Sequence, residues 1–115
     1  MQIILLHAPP WKLPAPGEDT STHQDQPPPN FSGPPHKSVD YLRMPTGLLS
    51  LAAQAQSAGH TVYLFNLANF SWRHVDALIK RARADLYGMT CYTSNRRGVA
   101  ALAELIHQYH PHAHV

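Results

Sequence analysis

The sequence predicts a doubly wound α/β domain built on a parallel sheet, and three observations carry that prediction. Short apolar runs at residues 3–6, 61–65 and 86–90 alternate with longer segments of helical periodicity. Helix-ending and helix-starting residues, Gly59, Ser71, Asn95 and Pro111, fall at the joints between them. Strictly alternating strands and helices favour parallel strands joined by right-handed crossovers, with helices on both faces in a three-layer arrangement.

Each element follows in order. Ile3, Ile4, Leu5 and Leu6 form a continuous apolar run, as expected of a strand buried on both faces. After Pro45, Leu48, Leu51, Ala52 and Ala55 recur at helical spacing, and Gly59 stands where a left-handed C-terminal cap is wanted. Thr61–Phe65 is β-branched and aromatic, a second strand. Ser71 can cap a second helix whose Trp72, Val75, Leu78, Ile79 and Ala82 share one apolar face. Leu86–Thr90 reads as a third strand. Asn95 is placed to cap a third helix carrying Val99, Leu102, Ile106 and Tyr109 inward, ended by Pro111. His114 and Val115 then read as the start of a fourth strand. A doubly wound domain normally has five or more parallel strands, so residues 1–115 are expected to be a domain truncated before strands 4 and 5.

Between strand 1 and the first helix lies an irregular stretch, residues 8–45, holding ten of the eleven prolines. Loops of that length in a compact domain are either functional or disordered. Residues 12–40 are expected to be the least ordered part of the chain, and the loop's two ends to behave differently from its middle.

Composition excludes several classes. With a formal charge of +2 and 14% charged residues, the chain has no basic stripe able to neutralise many phosphates, which argues against nucleic acid as a partner. Cys91 is the only cysteine, so no intramolecular disulfide can form and a reducing cytoplasm is the expected compartment. The opening apolar run lacks a basic leader and is cut short by Pro9 and Pro10, which speaks against a signal peptide or membrane span.

The fold class places the site. In open α/β sheets ligands sit outside the carboxyl ends of the strands where strand order reverses, which in the flavodoxin-like order lies between strands 1 and 3. The proline-rich loop and the turn at residues 90–95 are then the critical segments, and the loop after Phe65 belongs to an outer strand. Thr90, Tyr92, Thr93, Ser94 and Asn95 offer hydroxyls and an amide beside a helix N-terminus. They either hold a phosphate or ribose, or Ser94 and Asn95 simply cap the helix. No G-x-G-x-x-G follows strand 1 and no G-x-x-x-x-G-K-[ST] occurs, so the usual NAD and ATP sites are absent.

Three stretches, "IILLHAPPW", "MPTGLLSLAAQAQSAGHTVYLFNL" and "ADLYGMTCYTSN", occur in this order and spacing. Together they resemble the N-terminal cobalamin-binding domain of B12-binding radical SAM proteins, through nearly all of the chain except the middle of the proline-rich loop. The resemblance implies a flavodoxin-like (Rossmann-like) fold with cobalamin over the carboxyl ends of the strands. Thr90, Cys91, Tyr92, Thr93, Ser94 and Asn95 would line its nucleotide tail, and Pro9, Pro10, Trp11, Pro45, Thr46, Gly47 and Leu48 would face the corrin. The D-x-H-x-x-G motif that supplies a cobalt-ligating histidine in methionine-synthase-like domains is not in the sequence, so no protein metal ligand is assigned. A C-x-x-x-C-x-x-C motif is also absent. S-adenosylmethionine and a [4Fe–4S] cluster would therefore belong to a radical SAM domain downstream in the same parent chain, where methyl transfer or related radical chemistry would occur, and no catalytic residue is assigned here.

Other residues have plainer readings. His7 could touch the cofactor or be a satisfied buried histidine. His107, His110, His112 and His114 suit a helix C-terminus as cations without holding a metal. Cys91 has no partner base in the sequence and reads as an inert thiol. Arg96 and Arg97 read as solvated. The alternative to a cobalamin module is a cofactor-free flavodoxin-like or receiver-like signalling or interaction domain. A receiver would want an acidic pair after strand 1, where this chain has His7, Ala8 and Pro9.

Overall fold

The computed structural model describes residues 1–9, 45–68, 70–93 and 95–115. Three strands, β1 (Gln2–His7), β2 (Thr61–Asn66) and β3 (Leu86–Met89), form one sheet in the order β2-β1-β3. Both pairings are parallel, as the alternation predicts. Helices α1 (Thr46–Ser57), α2 (Trp72–Arg81) and α3 (Arg96–Tyr109) connect or follow the strands.

Side-chain alternation along the central strand divides the core in two. Ile4, Leu6 and Ala8 face the layer of α2 and α3, where they join Leu67, Val75, Ile79, Tyr87, Leu102 and Ile106. Ile3 and Leu5 face α1 and meet Leu48, with Ala52, Ala55, Val62, Leu64 and Leu86 packed around them. The expectation of helices on both faces therefore holds. β2 lies at the margin, and its Thr61 and Tyr63 are exposed.

The joints show why the elements start and stop there. At the end of α1, Gly59 takes φ +92°. Its N–H donates to the Gln56 carbonyl at 3.0 Å and the His60 N–H to the Ala55 carbonyl at 3.1 Å, the paired bonds of a Schellman cap. Ser71 caps α2 as expected, its Oγ accepting from the His74 N–H at 3.4 Å. α2 and α3 are clasped by two long-range contacts: the Tyr109 hydroxyl donates to Asp76 at 3.0 Å, and the His110 Nε2 lies 2.6 Å from the Ile79 carbonyl. The His110 ring also stacks on Tyr87, with centroids 5.8 Å apart.

Two expectations need correction. Leu51 does not face the core, because on α1 the inward positions are Leu48, Ala52 and Ala55, and Leu51 is 56% exposed. Asn95 stands at the start of α3 but makes no side-chain capping bond, for a reason given below. The expected start of a fourth strand is seen at His114, which makes a single parallel bridge to Leu86. The Tyr87 N–H donates to the His114 carbonyl at 2.8 Å and the His114 N–H to the Asp85 carbonyl at 3.0 Å, which puts this segment beside β3. The expectation about residues 12–40 lies outside the described residues.

Candidate site at the carboxyl edge of the sheet

The register Leu6↔Met89 brings the residues that follow β1 and β3 side by side at one edge of the sheet. α1 begins at this edge too, since it runs back to the far side, where Thr61 pairs with Gln2. Pro9, Pro45–Leu48 and the turn after β3 thus converge as the fold class requires.

Within that convergence the predicted residues divide by exposure. Thr46, Gly47, Cys91, Tyr92 and Thr93 are exposed, and Pro45 and Thr90 are half-buried. Pro9, Leu48 and Asn95 are buried. Leu48 is spent on the core beneath α1. Pro10, Trp11 and Ser94 lie outside the described residues.

The turn after β3 is tied to β1. The Thr90 Oγ1 and the His7 Nδ1 lie 3.3 Å apart, and the Tyr92 ring meets His7 edge-on, with centroids 6.4 Å apart at 79°. His7 is 3% exposed, in accord with the buried reading, although it adjoins the site turn. Asn95 closes the turn on the helix side. Its Oδ1 accepts from the Tyr92 N–H at 2.7 Å and its Nδ2 donates to the Thr90 carbonyl at 3.3 Å. An asparagine cannot serve these backbone groups and the first helical amides with the same oxygen geometry, which is why the expected cap is not made.

Gly98 was not singled out by its sequence context, yet it matters here. A Cβ at this position would collide with the backbone carbonyl oxygen of Pro9 and come within 3.6 Å of the Trp72 ring. Only glycine allows the chain leaving β1 to lie directly on the first turn of α3. A glycine in the first turn of a helix with an otherwise apolar face was the available signal, but its partner is far away in sequence.

The site's chemistry suits a large polar organic cofactor. The turn exposes the Thr93 hydroxyl, the Cys91 thiol and the Tyr92 phenol with no carboxylate among them, and it leads into the N-terminus of α3, the positive end of the helix. Among the described residues a Cβ on Gly47 would meet nothing within 4 Å. Among the described residues no group of three or more histidine, cysteine, aspartate or glutamate side chains could hold a metal ion. His110, one of the terminal histidines, is engaged with Ile79 and Tyr87. Cys91, Arg96 and Arg97 are exposed.

Two cavities formed by described residues lie elsewhere. One of about 590 Å³ runs between α2 and β2, lined by Ile4, Tyr63, Phe65, Leu78 and Arg81 among others. Another of about 420 Å³ lies at the far end, between Ala84 and the residues after α3. Among the described residues no helix is long and apolar enough to cross a membrane.

Searches of curated proteins and of solved structures returned no match to the chain. A family model described as the B12 binding domain matches residues 37–115, a span that takes in β2, β3, all three helices and the turn after β3. The strand outside that span, β1, pairs with both β2 and β3 and completes the parallel sheet that such a domain needs. With well over half its length matched, and with the polar turn at the edge where an α/β sheet takes its ligand, the chain belongs to the B12-binding domain family.

Proposed function

We propose that residues 1–115 form the cobalamin-holding part of a B12-dependent radical SAM enzyme. The observation that carries the cobalamin reading is the family match over a turn whose exposed hydroxyl and phenol groups sit at the switch point between β1 and β3. Cobalamin, when bound, supplies cobalt-centred methyl or radical chemistry. This chain's own residues bind and orient it: Tyr92 and Thr93 by their exposed side chains, the start of α3 by its amide groups, and Thr46 and Gly47 from the opposite side of the edge. Cytoplasmic radical SAM partnership in the same parent chain rests on the motif resemblance. It predicts a C-x-x-x-C-x-x-C cluster motif encoded after residue 115.

Much of the area that encloses a cofactor tail in a five-stranded domain comes from loops after strands 4 and 5, so the 115-residue chain is expected to bind weakly alone. Titration of hydroxocobalamin, followed by absorbance, into a protein carrying strands 4 and 5 after residue 115 should saturate. The Thr93→Val change should weaken binding, because a buried polar atom of the cofactor loses its partner, at about 1–3 kcal/mol. A flat titration of the longer protein overturns the cobalamin reading. Equal affinity in the variant removes only the role given to Thr93.

A further inference from the structure

Asn95 is fully buried, so it has no surface to offer a cofactor. It also does not cap α3. Its polar atoms go instead to the backbone that precedes it. The Tyr92 N–H donates to Oδ1 at 2.7 Å, the Asn95 N–H donates to the Tyr92 carbonyl at 3.2 Å, and Nδ2 donates to the Thr90 carbonyl at 3.3 Å. Residues 92 and 95 are thus joined by a reciprocal pair of bonds, and a third reaches the end of β3. On the other side, His7 holds Thr90 by its hydroxyl and Tyr92 by its ring edge.

We propose that Asn95 is a positioning residue, a brace that consumes the inward-facing backbone groups of Thr90 and Tyr92 and so aims the side chains of Cys91, Tyr92 and Thr93 outward at the cofactor. This rests on the cobalamin reading for the identity of the ligand, but the brace is a property of the unliganded chain. Asparagine suits the role because the turn needs one acceptor and one donor from the same short side chain. Aspartate keeps the acceptor for the Tyr92 N–H and loses the donor, whereas leucine, of similar size and shape, keeps neither.

Amide hydrogen exchange reads the brace, and hydroxocobalamin titration of the longer protein reads its consequence. Asn95→Leu should speed exchange of the Tyr92 amide by about tenfold or more while leaving the β1 and β3 amides unchanged. It should also weaken hydroxocobalamin binding by about tenfold. Asn95→Asp should keep the Tyr92 amide slow through its remaining oxygen but, having lost the donor to the Thr90 carbonyl, should bind about threefold more weakly than the parent and more tightly than the leucine variant. Space-filling alone would let leucine serve as well as aspartate, so an Asn95→Leu protein that binds as tightly as the parent overturns the proposal. So does an Asn95→Asp protein with a slow Tyr92 amide and the weak binding of the leucine variant. If the leucine variant does not fold, the aspartate variant decides by exchange alone: a Tyr92 amide as slow as the parent's supports the brace, and a fast one overturns it. Should the parent show a slow, Asn95-dependent Tyr92 amide and no hydroxocobalamin binding, the brace stands and the cobalamin reading falls.

Discussion

The two faces of the sheet are built to different standards. On the side of α2 and α3, Leu6, Leu67, Val75, Ile79, Leu102 and Ile106 are all fully buried, and two helices close over them. On the side of α1, the buried core among the described residues is Ile3, Leu5 and Leu48, and Leu49 and Leu51 of the helix are 48% and 56% exposed. The same central strand supplies both faces, so the difference arises from the layers above it. Among the described residues two helices cover one face and a single helix covers the other, and local stability should follow that division.

Gly98 tests the two-helix face most severely. Gly98→Val or Gly98→Ala sets a side-chain atom against the Pro9 backbone, which cannot swing aside as a flexible side chain would. The cost should reach or exceed the roughly 3 kcal/mol upper range of overpacking, read from the urea midpoint. Leu102→Ala on the same face should cost about 3 kcal/mol, within the range for fully buried leucines. Leu48→Ala on the α1 face should cost less, about 2 kcal/mol, because its surroundings are half-open and can settle into the space. Equal losses for Leu48 and Leu102 would break the distinction between the faces.

The smallest effect is expected at Tyr87. Its hydroxyl is buried and makes no hydrogen bond among the described residues. Burial raises its pKa above 10.0, with the charge of Arg83 and the backbone at Ala84 pulling more weakly the other way. A folded pKa above the unfolded value means that the neutral form is favoured in the fold. The contribution is fully present below about pH 10 and is lost as pH rises through the raised value. Tyr87→Phe should leave stability at pH 7 within about 0.5 kcal/mol of the parent and flatten the alkaline fall seen by circular dichroism above pH 10. A large loss at neutral pH would show that the hydroxyl contributes to the two-helix face.

Much of the fold was legible because it depends on neighbours in sequence. The apolar run of β1, the left-handed Gly59 and the Ser71 cap each follow from residue chemistry acting over a few positions. Leu51 was misplaced because α1 carries no charged residue and leucine or alanine at half of its positions, so its apolar residues spread beyond the face that packs on the sheet. The site's location was legible from topology, but its working parts were less so. Asn95 can bond forward to a helix or back to a turn, and only the position of Tyr92 decides between them. Gly98 is explained by Pro9, a partner no local pattern can name.

The place of β1 in the sheet has a consequence for how the chain comes to be folded. It sits in the middle of the sheet and precedes both neighbours in the chain, yet those two partners begin only at Thr61 and Leu86. During synthesis its row of isoleucine and leucine must wait, unpaired and apolar, until Thr61 and then Leu86 have been made. Folding must therefore close long loops before the central strand gains either neighbour, which is the regime of slow, topology-limited kinetics. The strand that holds both cores together is also the one that spends longest exposed to the wrong partners.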